Sequence, residues 1–389
     1  MKYDYLIVGS GLYGIISARL LTNAGYKCLI IEQRDRLGGN IVDENIDGIL
    51  VHTYGPHVFH TNSDEVWEFV NKYSKWNQFT FQVMAKSNNT LYNLPFNMNT
   101  FYKLFEKYDI NKVNKIIESE IKTYGVDEPK NLKEQAINLV GKTVYETLIK
   151  EYTEKQWGKP CEKLEPFIIK RLPIRKYFDN NYFNDRYEAI PSEGYSTFVK
   201  NIVSGLDDEE DIPYILNTDF KTFMNNTSTD PLLDFSLKNT IMEFDKIIYT
   251  GAIDELFDYE LGELQWRSLD FRIDKYDIPN YQGCAQMNYI DKQYPWTRII
   301  EHKHFYPRTI NDTNYTIITF EYPCDWDKTK EKYYPINNKE TDDLYNKYIL
   351  LSKKRYPNMI FGGRLGKYKY YNMDLVILDA INDIKNGTL

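Results

Sequence analysis

The stretch "YLIVGSGLYG" at residues 5–14 predicts a β-strand, a glycine turn and the start of a helix. Its glycines follow the pattern GxGxxG: Gly9 allows a tight turn, Gly11 a close approach of the backbone to a pyrophosphate, and Gly14 close packing of helix on strand. The segment "KCLIIEQ" then reads as a second strand, and Glu32 near its end is placed to accept hydrogen bonds from a ribose. Together these segments predict a dinucleotide-binding βαβ unit whose helix N-terminus faces the phosphates.

The residues that follow favour FAD over NAD as the dinucleotide. "RLGGN" at 36–40 contains Gly38, Gly39 and Asn40, and it resembles the second glycine turn of FAD proteins with a glutathione-reductase-like fold. A second GxGxxG fingerprint is absent from the sequence, so no separate NAD(P)H domain is expected.

Composition narrows the class of protein. The formal net charge of −8 argues against broad nucleic-acid binding. The sequence has no apolar run of about 18 residues, so we expect no membrane insertion. The four cysteines are far apart and form no CxxC pair, which favours a reduced, cytoplasmic protein.

The coarse pattern predicts an α/β protein with a discontinuous nucleotide domain. Residues 97–175 are typical of helices, with Val140, Val144, Leu148 and Tyr152 on one face. Aromatic, strand-like runs follow, and in "WTRIIEHKHF" strand alternation predicts Arg298, Ile300, His302 and His304 on one face. We assign 1–82, 199–265 and 336–389 to the FAD domain, 97–175 to a helical bundle with a mobile substrate loop, and 83–96, 176–198 and 266–335 to an antiparallel sheet domain.

Arginines beside aromatic residues are the strongest candidates for substrate binding. Arg171 and Arg175 lie in "IIKRLPIRKYF", Arg298 in "WTRIIEHKHF", and Arg364 in "GGRLGKYKYYNM". Arginine binds phosphate oxygens bidentately, and tyrosine stacks on bases, so this set would suit a nucleoside diphosphate. No GxSxG, HExxH or P-loop pattern occurs.

The histidine pair in "YGPHVFHT" (54–61) raises the question of a metal or acid–base site. Zinc needs three or four ligands in fixed geometry, and no Cys or Asp/Glu cluster joins His57 and His60 in the sequence. We therefore predict no metal site.

These segments together resemble the bacterial-type UDP-galactopyranose mutases over nearly the whole chain. The resemblance rests on "GSGLYG", "RLGGN", "YGPHVFHT", "LYNLPFNMNTF", "YTEKQWG", "IIKRLPIR", "DNNYFNDRY", "RIIEHKHF", "YYP" and "FGGRLGKYKYYNM", in the order of the family. It implies a glutathione-reductase-like FAD-binding Rossmann domain with an inserted helical bundle and an antiparallel β-sheet domain.

The resemblance also implies the chemistry. Such an enzyme interconverts UDP-galactopyranose and UDP-galactofuranose without net redox change, and its FAD must be reduced, because flavin N5 attacks the anomeric carbon and UDP leaves. The implied partners are UDP-galactose, an external reductant such as NAD(P)H or a reduced flavin, and a second subunit in a possible homodimer. Three alternatives stay open: the same ring contraction on UDP-N-acetylgalactosamine, a flavin amine oxidase or desaturase, and a catalytically inactive FAD-binding protein.

The resemblance assigns roles to particular residues. Arg171 and Arg298 would grip the pyrophosphate, aided by the hydroxyls of Tyr182, Tyr334 and Tyr370. Tyr152, with its neighbour Thr153, would stack on uracil near Phe183, Trp157 would border the sugar, and Asn93 and Asn288 would give polar support. FAD would contact the glycines and Glu32 already named, Asn40, Arg267, Gly363, Arg364, Asn372 and Met373. His57 and His60 would line the isoalloxazine, with His60 nearest the reactive centre, so Arg171, Arg298 and His60 are the predicted catalytic residues.

Two departures from the family pattern carry predictions of their own. Asn372 stands where the family has Asp, and we expect it to cap a C-terminal helix whose N-terminus points at the flavin and stabilises the anionic reduced form. Residues 219–240 look longer than the family's usual connection, and we expect a surface elaboration there.

Overall fold

The computed structural model describes residues 2–171, 173–225, 243–306 and 313–389, apart from the side chains of residues 170 and 171. The strands are β1 (Lys2–Val8), β2 (Cys28–Ile31), β3 (Asp43–Ile46), β4 (Ile49–His52), β5 (Phe59–Thr61), β6 (Trp76–Gln78), β7 (Val83–Ser87), β8 (Thr90–Leu94), β9 (Tyr187–Pro191), β10 (Tyr214–Ile215), β11 (Glu243–Tyr249), β12 (Trp266–Tyr276), β13 (Gln286–Tyr289), β14 (Arg298–Glu301), β15 (Thr316–Asp325), β16 (Tyr334–Pro335) and β17 (Met359–Phe361). The helices are α1 (Leu12–Asn23), α2 (Asp64–Tyr73), α3 (Met98–Phe105), α4 (Ile110–Tyr124), α5 (Leu132–Val144), α6 (Lys150–Trp157), α7 (Tyr195–Ser204), α8 (Phe220–Met224), α9 (Ile253–Leu256), α10 (Lys339–Arg355), α11 (Gly363–Gly366) and α12 (Met373–Lys385).

A parallel sheet forms the predicted nucleotide-binding layer. Its described strands run in the order β10-β2-β1-β11-β17, and each neighbouring pair is parallel. The second half of β1, residues 5–8, and all of β2 are apolar and buried, as expected for strands of a parallel sheet that is covered by helices. Helices α1 and α12 pack against each other beside this sheet, and Val376, Ile377 and Ala380 of α12 are buried. The predicted apolar face of the C-terminal helix is confirmed.

A second, mostly antiparallel sheet lies beside it. In the described residues its order is β16-β12-β15-β14-β13-β7-β8, with β13 and β7 the parallel pair. β14 pairs with β15 so that Arg298 is opposite Glu321. This register brings a cation and a carboxylate together on one face of the sheet.

Helices α3 to α6 form the predicted helical region. Val140, Val144 and Leu148 are buried, while Tyr152 packs at the edge of the core. Gly141, at φ +81°, kinks α5, and residues Tyr145–Ile149 form a π-helical turn before α6. Because π-turns shift the helical phase, α6 presents its side chains at a different angle from α5.

β9, within residues 176–198, pairs with β5 and β6 in a small antiparallel sheet. One expectation needs correction. His302 and His304 do not continue the strand face of Arg298, because the chain turns into a 3₁₀ helix at His302–Phe305. The division into three domains stays a prediction, and most of the expected elaboration at 219–240 lies outside the described residues.

Candidate active site

A cavity of about 920 Å³ lies where the two sheets and the helical region meet. Val8, Ile31 and Tyr249 line it at the carboxyl ends of β1, β2 and β11, the edge at which open α/β sheets bind ligands. Leu148 and Tyr152 line it from the helical region. The cavity therefore joins the dinucleotide fingerprint to the predicted substrate residues.

The glycine fingerprint forms a cradle at one end of this cavity. A Cβ on Gly14 would lie 2.1 Å from the carbonyl oxygen of Gly9, so helix α1 can approach the turn only with glycine there. A Cβ on Gly11 would meet nothing within 4 Å, because that side of Gly11 opens into free space. Gly11 is also the N-cap of α1 and offers no side-chain cap, so the first N–H groups of the helix are available to an anion.

Glu32 is held at the end of β2 by its neighbours. Its carboxylate accepts hydrogen bonds from the backbone N–H of Ser10 at 2.8 Å, the hydroxyl of Ser10 at 2.7 Å and the backbone N–H of Arg34 at 2.9 Å. Glu32 is 5% exposed and lines the cavity. A carboxylate fixed beside a pyrophosphate cradle is the group that binds a ribose diol.

The N-terminus of α12 forms another part of the cavity wall. Asn372 is its N-cap, as predicted, but its side chain makes no capping hydrogen bond, and Asn372 and Met373 line the cavity. The helix is anchored by Lys367, whose ammonium donates to Asp379 at 2.7 Å and to Asp383 at 2.9 Å. The cavity thus faces the uncapped N-termini of α1 and α12, each of which favours negative charge.

Three histidines pack behind the loop that contains "YGPHVFHT". His52 Nδ1 accepts from the backbone N–H of His57 at 3.0 Å, and His302 Nδ1 accepts from the backbone N–H of His52 at 3.3 Å. Burial lowers the pKa of His52 and of His57 to about 3. Both rings are therefore neutral at pH 7, and His57 reaches the cavity as a neutral imidazole.

His60 also lines the cavity, but unlike His57 its ring pairs with a carboxylate. Its Nδ1 pairs with the carboxylate of Asp185, and its ring stacks on Phe183 with centroids 3.7 Å apart. Asp185 therefore fixes the orientation of the ring and leaves Nε2 as its other polar atom. No group of three or more His, Cys, Asp or Glu side chains is placed to hold a metal ion in the part of the chain that the structure describes.

Arg298 forms the centre of the substrate end. Its Nε donates to Glu321 at 2.6 Å, and its Nη2 donates to the hydroxyl of Tyr334 at 3.2 Å. Tyr152, Tyr182 and Tyr370 line the cavity around it. Burial raises the pKa of Tyr152, Tyr182 and Tyr334, so these hydroxyls stay protonated and can donate to an anion.

Most of the predicted site residues that the structure describes share this cavity, but two of them do not. Its lining contains Gly9, Gly11, Gly14, Glu32, Gly38, Gly39, Asn40, His57, His60, Tyr152, Thr153, Trp157, Tyr182, Phe183, Asn288, Arg298, Tyr334, Gly363, Arg364, Tyr370, Asn372 and Met373. Asn93 lies outside the lining and donates to Met84 Sδ at 3.5 Å. Arg267 is also outside it: its Nε donates to the carbonyl of Gln156 at 3.0 Å, so it braces the end of α6. The side chain of Arg171 lies outside the described residues.

Arg175, one of the arginines proposed for phosphate binding, has a structural position instead. It is 2% exposed and donates to the carbonyls of Asp179 at 3.1 Å and Phe183 at 3.3 Å. A buried guanidinium that donates to several carbonyls of one loop holds that loop in place. This loop carries Tyr182 and Phe183 to the cavity.

Sequence reasoning missed Glu321 and Asp185. Glu321 is fully buried and lines the cavity, and strand alternation in "TIITFEYP" would place it on the face of Thr319, opposite a β14 residue. Only the pairing register identifies that residue as Arg298. Asp185 had no local signal, because its partner His60 is distant in the sequence.

Several buried polar atoms of lining residues lack a hydrogen-bond partner among the described residues. They are Arg34 Nη1, His57 Nδ1, Gln156 Oε1, Gln286 Oε1, Glu321 Oε2 and Arg364 Nε. Buried polar atoms are nearly always paired in native proteins, so a polar ligand is expected to satisfy some of them. With the glycine cradle and Glu32, they fit FAD at one end and an anionic substrate at the other.

Comparison with known proteins agrees with this geometry. Residues 147–370 match the sequence profile of UDP-galactopyranose mutase, and residues 7–73 match that of an NAD(P)-binding Rossmann-like domain. The first match covers more than half of the chain. The chain belongs to the UDP-galactopyranose mutase family.

Individual members of the UDP-galactopyranose mutase family are similar over nearly their full length. A dTDP-fucopyranose mutase of Escherichia coli is 35% identical over 97% of this chain and 96% of its own. A probable UDP-galactopyranose mutase of Klebsiella pneumoniae is 34% identical over 97% of this chain and 93% of its own. A crystal structure of reduced UDP-galactopyranose mutase superposes with a TM-score of 0.73 at 15% identity, covering 100% of this chain and 96% of that one.

As a member of the UDP-galactopyranose mutase family, the protein is an isomerase that converts between pyranose and furanose forms, and FAD is its cofactor. The predicted enzyme class, cofactor and Rossmann-containing α/β fold are confirmed. Among the described residues no helix combines the length and the apolar character needed to cross a bilayer.

Proposed function

We propose that the enzyme interconverts UDP-galactopyranose and UDP-galactofuranose, with the diphosphate held at Arg298. The observation that carries this proposal is the grouping of a partly buried guanidinium and tyrosine hydroxyls in one cavity with the dinucleotide cradle. Guanidinium and phenol groups match the oxygens of a diphosphate, and a buried site makes each such contact stronger than it is in water.

Held by the glycine cradle and Glu32, reduced FAD would supply the nucleophile, flavin N5, for the displacement of UDP from the anomeric carbon of the sugar. The residues of the chain bind and orient. Arg298 neutralises the diphosphate as a leaving group, and Glu321 keeps the guanidinium in place through its Nε. Trp157, whose ring centroid lies 6.4 Å from that of Tyr334, closes the sugar side against water.

His60 and Asn372 act on the cofactor rather than on substrate protons in this proposal. His60 has Nδ1 committed to Asp185, so its Nε2 is the atom that can donate to the flavin or accept from it. The uncapped N-terminus of α12 stabilises the negative charge of reduced flavin. An external reductant such as NAD(P)H or a reduced flavin keeps the cofactor active in this proposal.

A second candidate substrate is dTDP-fucose, because a dTDP-fucopyranose mutase is 35% identical over 97% of this chain. Leu148, Ile149 and Ile168 form an apolar wall beside Tyr152. An apolar wall tolerates the extra methyl group of thymine, so the base alone is a weak discriminator. UDP-N-acetylgalactosamine stays a third candidate. It can bind only if the cavity has room for the N-acetyl group beside C2 of the sugar.

The deciding experiment is a substrate comparison with the reduced holoenzyme. Dithionite-reduced protein is incubated anaerobically with UDP-galactofuranose, dTDP-fucofuranose or UDP-N-acetylgalactofuranosamine, and the products are separated by chromatography. We expect the highest kcat/KM for UDP-galactofuranose and no conversion by oxidised protein. The Arg298→Met variant should lose about 3 kcal/mol of transition-state stabilisation. Arg272→Met, at an exposed arginine of the same sheet, is the matched control.

The result identifies the substrate or rejects the proposal. Faster turnover of dTDP-fucofuranose would identify dTDP-fucose, rather than UDP-galactose, as the substrate. Turnover by oxidised enzyme would reject the role of reduced FAD, and absence of any interconversion by FAD-loaded, reduced protein would reject the proposal altogether.

A further inference from the structure

Lys155 lies in α6 beside the cavity, and its ammonium has an unusual set of partners. Its Nζ donates to the carbonyl oxygens of Tyr289 at 2.6 Å, Asp291 at 3.1 Å, Tyr294 at 3.1 Å and Trp296 at 3.0 Å. Tyr289 is the last residue of β13, and the other three carbonyls belong to the turn that joins β13 to β14. One side chain of α6 thus binds the whole turn through its backbone.

The two elements that Lys155 joins form opposite walls of the substrate end. Helix α6 contributes Tyr152, Thr153, Gln156 and Trp157 to the cavity lining, and the strands next to the turn contribute Asn288 and Arg298. A shift of α6 away from the turn would separate the Tyr152 ring from the Arg298 guanidinium. The cavity would then no longer match a base and a diphosphate at the same time.

The chemistry of the cage resembles a binding site for a small cation. Carbonyl dipoles arranged around one point replace the hydration shell of a monovalent cation, as they do in ion-selective filters. Burial lowers the pKa of Lys155 to about 8, although Asp291 and Glu151 oppose this shift. The ammonium is therefore partly desolvated, and the carbonyl oxygens around it replace part of its hydration shell.

We propose that Lys155 is a positioning residue that holds α6 against the β13–β14 turn at the spacing a bound nucleoside diphosphate requires. The proposal rests on the proposed function, because that function places the diphosphate between these walls. Lys155 does not line the cavity, and it acts through the residues of the two walls.

Lys155→Ala tests the proposal, because it empties the cage and leaves space for a free cation. Binding of UDP to the FAD-loaded protein is measured by titration calorimetry in sodium chloride, and again with ammonium or tetramethylammonium chloride at the same ionic strength. We expect affinity in sodium chloride to fall about tenfold to a hundredfold, because donors to four buried carbonyls are lost. Ammonium should restore much of it, whereas tetramethylammonium, which cannot donate hydrogen bonds, should not.

Lys292→Ala is the matched control. Lys292 connects the same two elements through an exposed ion pair with Glu154 at 2.8 Å, and such pairs contribute little. Its UDP affinity should stay within about twofold of wild type and should not respond to ammonium. If the Ala variant does not fold, Lys155→Gln, which keeps two N–H donors, takes its place.

Each possible result of these measurements either supports or overturns the proposed role of Lys155. Wild-type affinity in Lys155→Ala, or a loss that ammonium does not reverse, would overturn the proposal. Failure of both variants to fold even in ammonium would overturn it too, because Lys155 would then be needed for the fold itself. Failure of the wild-type enzyme to bind UDP would instead count against the proposed function.

Discussion

Replacing Glu321 with glutamine removes a buried charge but keeps the size of the side chain and one hydrogen-bond acceptor. Glu321 is 0% exposed, and its Oε1 accepts from Arg298 Nε at 2.6 Å. Burial raises the pKa of Glu321, and the positive charge of Arg298 opposes that shift. In Glu321→Gln the guanidinium becomes a buried charge without a counterion.

The expected loss of stability follows from the geometry of the pair. Charge centres about 4 Å apart attract by about 4 kcal/mol at an effective dielectric constant of about 20, and removing one partner of a buried pair typically costs about 3–5 kcal/mol. We therefore expect the free energy of unfolding without ligand to fall by about 3 kcal/mol.

Affinity for UDP should change in the opposite direction. A diphosphate on the far side of Arg298, about 8 Å from Glu321, is repelled by about 2 kcal/mol per unit charge at the same dielectric constant. Removal of the carboxylate should therefore increase UDP affinity at least about tenfold. UDP replaces the missing counterion, so it should also restore part of the lost stability.

Urea unfolding with and without saturating UDP, together with titration calorimetry, measures both quantities. Glu263→Gln, which disrupts an exposed pair with Lys328, is the control and should leave both within about 0.5 kcal/mol of wild type. A variant that loses stability and affinity together would show that Glu321 orients Arg298 more than it neutralises it, and would refute the electrostatic reasoning.

Three further changes test other parts of the site. Gly11→Ala should fold with wild-type stability, because Gly11 has φ −63° and free space around a Cβ, but it should lose the yellow colour of bound FAD. Retained FAD would show that the pyrophosphate does not approach Gly11. Burial raises the pKa of Glu188 to about 7, so its contribution to stability is complete below about pH 4.5 and is lost as the pH rises to 7. Thermal unfolding should therefore show Glu188→Gln to be as stable as wild type at pH 4 and, after allowance for partial exposure, about 1–2 kcal/mol more stable at pH 8. Asn372→Asp should lower the midpoint potential of bound FAD in a potentiometric titration, because it places a negative charge beside reduced flavin, and a higher potential would contradict this.

The sequence predicted those parts of the fold that local physics dictates. The glycine fingerprint, the apolar residues 5–8 of β1, the apolar strand β2 and the apolar stripe of α12 each have a pattern of their own, and each appears in the structure. The turn of the chain at His302 was missed, because strand alternation alone does not reveal where a strand ends.

The candidate site was predicted less completely, because most of it depends on pairs that are distant in the chain. Resemblance to the family located Arg298 and the tyrosines, but it assigned Arg267 to FAD, whereas the structure places this residue behind α6. The partners Glu321 and Asp185 depend on strand register and loop packing. Neither the strand register nor the loop packing produces a local pattern that can be recognised in a single sequence.

The order of strands in the parallel sheet also affects how the protein is made. β1 is inserted between β2 and β11, although β11 is synthesised much later, and the uncapped end of α12 follows later still. A nascent chain on the ribosome therefore carries the glycine cradle long before the rest of the cavity exists. The last residue that lines the cavity is Val376, so the complete cavity can form only when nearly the whole chain has been translated.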